Sequence, residues 1–306
     1  MAKLLRFKSS ESSSSLTTLD DYISRLKKGQ ENIYYLSGAS IEEIESSPFL
    51  ERLTARGFEV LYLPDPIDEY TIQGLTEYEG KKLMSAAKDG LKLGDEGKFL
   101  FSISIFLFFF FLTHFFVFFF HYPIDEDEKH KETEKNFEIL TDWLKERLSD
   151  LIDKAVISRR LTHSPCALVA KQWGWTGNME RIMSSQAYSK SEDNSASFYK
   201  TQKKILEINP KHPLIVSLLE KVENEESNDE LVPIALTLYD LAALRSSFAI
   251  AQPKDFAKRV EELLADSLKI SREFNVLFFS FFLFFFFSFL IVSFFLTFFF
   301  FFQKPD

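Results

Sequence analysis

The chain is poor in the residues from which common catalytic and metal sites are built. Cysteine occurs once, at Cys166, so no internal disulfide framework exists, and a small buried thiol is the default reading. That count does not fix the redox compartment, because lumenal proteins also fold without disulfides. None of the five histidines, His114, His121, His130, His163 and His212, stands at metal-ligand spacing from Cys166. His163 lies close before Cys166 at a turn marked by Pro165, the one place where a thiolate–imidazole pair is to be weighed against an inert thiol. Glycine is scarce, and Gly74, Gly80, Gly90, Gly94 and Gly97 lack the spacing and the following Lys-Ser/Thr of a phosphate loop. Paired acids such as Asp68-Glu69 have no partner cluster and read as surface or capping residues. Lys and Arg number 36 against 45 Asp and Glu, for a net charge of -9. With no basic stripe, nucleic acid is not an expected partner, since phosphate affinity comes from clustered cations.

Phenylalanine, by contrast, is abundant, and most of the 36 sit in two tracts, Phe99–Tyr122 and Val276–Phe302. Neither tract holds an Asp, Glu, Lys or Arg, and each exceeds the roughly 20 apolar residues that span a bilayer. A two-span membrane protein is therefore one reading. Against it, both tracts lack the Ala and Gly that let membrane helices pack, and the flanking charges are mixed, Lys98 before the first and IDEDEK after it. Phe, Leu, Ser, Val and Ile also share an alphabet of neighbouring codons, which a pyrimidine-rich stretch such as an intron end would produce on translation. The expectation is that both tracts are artefactual or unstructured relative to the fold. If made, they are aggregation liabilities in water.

The chain's 306 residues leave room for two ordinary domains. Residues 1–18 are Ser-rich and read as an exposed loop. An amphipathic segment from Leu19 to about Lys28 follows. Ile33–Leu36 and Phe58–Leu63 read as buried strands, with a helical pattern from Glu42 to Arg56 between them, opened in its second half by Pro48 and stopped by Gly57. Asp68–Leu75 reads as helical turns and Lys82–Ala86 as a third strand. Strand, helix, strand at this spacing implies a parallel sheet, so residues 19–93 read as a small α/β domain.

After the charge run Ile124–Lys135, a linker or helix start, the apolar spacing predicts a helix over about Asn136–Lys154. Ala155–Leu161 and Cys166–Trp173 read as strands joined by a turn at His163–Pro165. Met179, Ile182, Met183 and Gln186 share a helical face beside Trp175. Periodicity alone makes that face core; an adaptable binding surface is the alternative, because Met is unbranched and polarizable. Ser189–Ser197 and Glu223–Asp229 read as polar loops, and another helix starts near Pro213. Leu231–Leu244 is apolar around most of its circumference, and Phe256, Val260, Leu263, Leu264, Ser267 and Leu268 form a stripe on a last helix over about Pro253–Ile270. Two such helices suit helix–helix packing, more completely if a second chain supplies partners.

Several of these segments also carry a resemblance. SPCALVAKQWGWTGNMERIM at Ser164–Met183 and LEINPKHPLI at Leu206–Ile215 resemble signatures in the C-terminal domain of the 90-kilodalton heat-shock chaperones. IYYLSGAS, SSPFLERLTARGFEVLYL, PIDEY and Leu75–Leu93 resemble the last part of that family's middle domain. The matches run in family order over about residues 4–98 and 124–275, and SSPF, SPCALVA, GWTGNMERIM and NPKHPLI look closer to the endoplasmic-reticulum branch than to cytosolic or mitochondrial forms.

The resemblance implies the end of a middle domain over 1–98, a Phe-rich tract at 99–122, an α+β C-terminal dimerisation domain over 123–275 and a Phe-rich tail at 276–306. It implies a stress-response chaperone that binds unfolded or partly folded client proteins and homodimerises, with membrane contact only if the tracts are real. Trp175, Met179, Ile182 and Met183 would contribute to client contact, which reverses the plain core reading. Leu231, Ile234, Leu238, Leu241 and Leu244, with Phe256, Val260, Leu263, Leu264 and Leu268, would form the dimeric four-helix bundle. The family uses ATP, but its nucleotide site and hydrolysis-assisting arginine fall outside the matched segments, so no cofactor and no enzymatic activity are expected of this chain. The branch resides in the endoplasmic-reticulum lumen. The Met-Ala-Lys-Leu-Leu-Arg start does not read as a signal peptide, and Gln303–Asp306 is not the branch's Lys-Asp-Glu-Leu retrieval signal.

Overall fold

The computed structural model describes residues 2–91, 93, 126–185, 202–224 and 228–268. Both Phe-rich tracts, the segment Ser189–Ser197 and most of the loop before the penultimate helix lie outside them. The described residues through Ala251 belong to one compact unit, and those from Gln252 to a second.

The first half is built on a six-stranded sheet: β1 Phe7–Ser9, β2 Ser12–Thr17, β3 Ile33–Ser37, β4 Val60–Leu63, β5 Glu77–Tyr78 and β6 Lys81–Ser85, in the spatial order β2-β1-β4-β3-β6-β5. The central β4, β3 and β6 run parallel, and the outer strands pair antiparallel. The parallel centre follows from the connections. Between β3 and β4 the chain makes α1's successors: α1 is Leu19–Ser24, and α2 Ile41–Glu45 and α3 Glu51–Ala55 flank a 3-10 turn at Pro48–Leu50. Gly57 then adopts φ 68, which ends the helical segment. α4, Pro66–Gly74, covers the return toward β6.

Because core lies on both faces, β4 is buried along its whole length and β3 along most of it, rather than in strict alternation. Tyr34, Leu36, Val60 and Tyr62 enter one core. Ile33, Leu61 and Leu63 enter the other, beneath Leu19 and Tyr22 of α1 and Ile72 of α4. The buried Tyr22 hydroxyl is fully engaged. It donates to the Glu59 carbonyl at 2.6 Å and accepts from Gln30 Nε2 at 2.9 Å and the Tyr34 amide at 3.0 Å.

The Ser-rich start departs from expectation. It forms the β1–β2 hairpin rather than a loop, with Phe7 and Thr17 paired and buried and the Ser9 and Thr17 hydroxyls 3.4 Å apart. Serine is tolerated because β2 is an outer strand, on which Ser12 is half-buried and Ser15 exposed. Ser12 Oγ also donates to the Ser15 carbonyl within the strand, and the β1–β2 register shifts between Phe7 and Ser9.

The second half starts with α5 Glu126–Asn136 and α6 Glu138–Arg147, so the charge run is helical. The helix expected to reach Lys154 stops at Arg147. Residues Ile152–Ile157 form β7 instead, where they pair with a strand from later in the chain. β8 is Cys166–Val169 and β9 is Lys204–Ile208, in the order β7-β9-β8. The two expected strands are therefore not neighbours. β9, not foreseen as a strand, lies between them, parallel to β7 and antiparallel to β8. α7 Gly177–Ser185, α8 Pro213–Glu223, α9 Asn228–Arg245 and α10 Pro253–Ser267 complete the described chain.

This three-stranded sheet is also buried on both faces, and its period of two sorts the side chains. Cys166 and Leu168 of β8 and Leu206 and Ile208 of β9 face a core with Leu140 and Leu144 of α6, Ile215 and Leu218 of α8, and Leu231, Ala235 and Leu238 of α9. Ala167, Val169 and Ile205 point the other way, into the core that holds Tyr34, Leu36, Phe49 and Val60. One apolar core thus joins the two sheets.

Polar contacts fix that junction. Arg160 and Glu207, whose side chains are 5% and 8% exposed, pair through Nε–Oε2 at 3.0 Å and Nη2–Oε1 at 2.9 Å. Ser158 Oγ adds a bond to Glu207 at 2.6 Å, and Arg160 also donates to the carbonyls of Ala86 and Lys88, just past β6. A second link runs from α3. The Glu51 carboxylate accepts from the consecutive amides of Thr162, His163 and Ser164 at 2.6–3.0 Å and from the Ser164 hydroxyl at 2.6 Å. Partial burial alone would raise this carboxyl. The Ser164 hydroxyl and the three amides outweigh it and hold the group below its ordinary value.

Two outcomes follow. Glu207→Ala leaves a buried guanidinium without its carboxylate and lowers the unfolding free energy by about 3–5 kcal/mol in urea titrations, whereas joint replacement by Arg160→Met and Glu207→Leu costs far less. For Glu51, the folded form binds its proton less readily than the unfolded form. Its stabilisation is complete above the ordinary carboxylate range and is lost as pH falls through that range toward the lower folded value. Glu51→Gln therefore flattens the acid side of a melting-temperature profile, and an unchanged slope would contradict the assignment.

Candidate binding surface

The chain leaves β8 still tied to the first sheet. The Ala170 amide donates to the Ala87 carbonyl at 3.1 Å, and the Asp89 amide to the Ala170 carbonyl at 2.8 Å. A tight turn follows, closed by the Gly174 amide on the Lys171 carbonyl at 2.9 Å. It throws Trp173 into solvent at 82% exposure and leaves Trp175 half-buried. Thr176 caps α7, its hydroxyl accepting from the Met179 amide at 3.3 Å.

α7 is amphipathic and lies flat on the chain. Met179 and Ile182 are buried, with Asn178 beside them, while Met183 is half-buried and Ser184 and Ser185 are exposed. Of the four residues expected at a contact surface, Met179 and Ile182 are thus interior and Trp175 and Met183 remain partly accessible. The physical reason is close approach at the start of the helix. A Cβ on Gly177 would stand 2.4 Å from the Ser247 carbonyl carbon and oxygen, so only glycine lets the helix approach that backbone without a shift. Glu180, on the flank of α7, pairs with Lys204 at 2.5 Å.

The structure adds neighbours that periodicity did not single out. The Tyr70 hydroxyl of α4 donates to Met183 Sδ at 3.4 Å, and Ile67, one turn earlier, is 68% exposed. Tyr70 is far from Met183 in sequence, so no local pattern could reveal the contact. Trp173 had a local signal: it alternates with Trp175 just past the last residue of β8.

The residues expected at self-contact separate into two sets. On α9, Leu231 and Leu238 are buried in the chain's own core and Ile234 packs partly against it, whereas Leu241 and Leu244 are exposed. The helix carries Pro233 near its start, and the Thr237 hydroxyl donates to the Pro233 carbonyl at 2.8 Å. On α10 no residue is buried: Phe256 and Val260 are intermediate, and Leu263, Leu264 and Leu268 are exposed at 40%, 56% and 68%.

The Cys166 thiol is 1% exposed and donates to the Leu238 carbonyl at 3.4 Å, and burial pushes it up to about 12. His163 is exposed whereas the Cys166 thiol is buried against α9, so the two do not form a thiolate–imidazole pair. Among the described residues, no group of three or more His, Cys, Asp and Glu could hold a metal ion.

The profile of the family described as Hsp90 protein matches residues 1–99 and 120–277. The chain is 45% identical over 277 residues to an endoplasmin homolog of Caenorhabditis elegans, covering 90% of this chain and 33% of that protein. It is 40% identical over 277 residues to an endoplasmin homolog of Catharanthus roseus, covering 90% of this chain and 30% of that protein. The chain therefore spans about a third of the length of the curated relatives it matches.

The buried thiol gives a direct check on this region. Cys166 in the native chain reacts with a thiol reagent at neutral pH far more slowly than in denaturant, and native labelling at the denatured rate would show that the β8–α9 packing is not closed.

Proposed function

The chain belongs to the Hsp90 protein family, and we propose that it is a self-associating, polypeptide-binding segment of an endoplasmin-like chaperone. The family is one of heat-shock chaperones, and the curated relatives carry the endoplasmin name. One observation carries the self-association: α10 is amphipathic yet buries none of its residues, and α9 turns Leu241 and Leu244 outward as well. Apolar stripes of this kind lose free energy of hydration when a second copy covers them, on the order of 25 cal/mol per Å² removed from water. A pair of helices from each of two chains makes a four-helix bundle.

Client binding rests on the apolar surface around α7. Trp173, Trp175, Met183, Tyr70 and Ile67 supply large, adaptable contact area without a charged specificity pocket, which suits many unfolded sequences rather than one. Met179 and Ile182 would serve from beneath, holding α7 in place, and would reach a client only if the helix lifted. In this reading ATP is handled elsewhere in the full-length family and the chain itself hydrolyses none. The endoplasmin name of the relatives supports a lumenal location in the endoplasmic reticulum.

The membrane reading rests on the length and lack of charge of the Phe-rich tracts. The family match runs up to the first tract, resumes at residue 120 and stops at residue 277, which supports treating both as additions to the family fold. Among the described residues, no helix is long and apolar enough to cross a membrane. Resistance of the native protein to carbonate extraction would revive that reading.

The proposal is tested by sedimentation of the full chain together with suppression of aggregation of a thermally unfolded model protein. The wild-type chain sediments as a dimer at micromolar concentration, and replacing Leu263, Leu264 and Leu268 with Ser shifts it to monomer without altering its thermal melt. A strictly monomeric wild type would overturn the self-association, and an absence of aggregation suppression the client reading.

A further inference from the structure

The end of α9 and the start of α7 are locked together by a turn that neither helix explains alone. Ser246 lies just past α9, and its buried hydroxyl accepts from the Leu168 amide of β8 at 2.9 Å. Ser247 takes φ 61, a left-handed conformation that a non-glycine residue holds only when its surroundings dictate it. Its hydroxyl donates to Glu43 Oε1 of α2 at 2.5 Å, and its carbonyl group is the surface against which Gly177 of α7 packs. Phe248 is buried at 6%, and its ring lies 5.1 Å from the ammonium of Lys204, which also pairs with Glu180 of α7. Within three residues the turn therefore touches β8, α2, the start of α7 and, through Lys204, its flank.

We propose that the Ser246–Phe248 turn is a coupling joint through which self-association along α9 and polypeptide capture at α7 influence one another. This inference rests on the function proposed above and adds the route of communication. α7 cannot slide past the turn, because backbone meets backbone at Gly177. A change in the position of the end of α9, which carries the exposed Leu241 and Leu244, is consequently transmitted to α7 rather than absorbed in a loose loop. Linkage makes the effect reciprocal: a client that prefers one position of α7 must alter the dimer affinity by the factor by which dimerisation alters client affinity.

The test measures the dimer dissociation constant of the full chain by analytical ultracentrifugation, with and without saturating carboxymethylated α-lactalbumin, a permanently unfolded probe. Wild type is expected to change its dimer affinity about fivefold or more on client addition. Gly177→Leu keeps helix propensity but drives a side chain into the Ser247 backbone. Lys204→Met is the milder variant, keeping an apolar stem while deleting the ion pair to Glu180. Both variants should still dimerise and bind the probe, with the client-dependent change reduced toward onefold. If Gly177→Leu fails to fold, Lys204→Met alone decides. A wild-type change retained in full by Lys204→Met, or by a folded Gly177→Leu, overturns the joint while leaving the proposed function intact. A wild-type dimer that binds the probe with no change in affinity does the same. A wild type that neither dimerises nor binds the probe overturns the function and the joint together.

Discussion

The fold depends on how two sheets of unlike size are joined, and the buried Arg160–Glu207 pair lies at that junction. Removing two charges from water is costly, and their attraction offsets the cost only where other hydrogen-bonding groups are also satisfied. Here the remaining donors of Arg160 reach carbonyls past β6, and Glu207 also accepts from Ser158. Glu207 lies in β9, the middle strand of the smaller sheet, so the strand that organises one sheet also anchors it to the other. The apolar core around this pair provides most of the stabilisation. The pair and the Glu51 carboxylate add direction, because an amide or guanidinium N–H donates in few orientations.

The small sheet also explains why α7 and α9 are placed as they are. Its two faces take different partners, so β8 turns Ala167 and Val169 toward the core of the first sheet and Cys166 and Leu168 toward the helices. The chain leaves β8 in hydrogen-bonded contact with the first sheet, and α7 starts only after that contact ends. A helix placed in this way is positioned by both halves of the compact unit at once.

Much of the first half was legible in the sequence. Ile33–Leu36 and Phe58–Leu63 carry the apolar, aromatic-rich runs of strands buried on both faces, and Pro48 and Gly57 punctuate the helix between them. The β1–β2 hairpin was not, because polar outer strands have no apolar face to advertise. In the second half β9 escaped notice: its KILEI is short, adjoins a proline-rich segment and matters only through its two neighbours. The burial of Met179 and Ile182 agreed with helical periodicity, whereas the Tyr70–Met183 contact and the Gly177–Ser247 approach arise from segments distant in sequence, where spacing carries no information. The family motifs were the most informative part of the sequence, since they hold the order of elements that periodicity leaves open.

The serine-rich outer strand has a consequence for how the protein avoids joining its own kind in the wrong way. An uncovered strand normally offers a row of donors and acceptors on which another chain can crystallise into an endless ladder. In β2 the Ser12 hydroxyl already occupies the Ser15 carbonyl, and the register shift against β1 bends the margin. An extended segment of another chain therefore finds fewer free partners along this strand. By blunting that margin the fold discourages strand-by-strand growth.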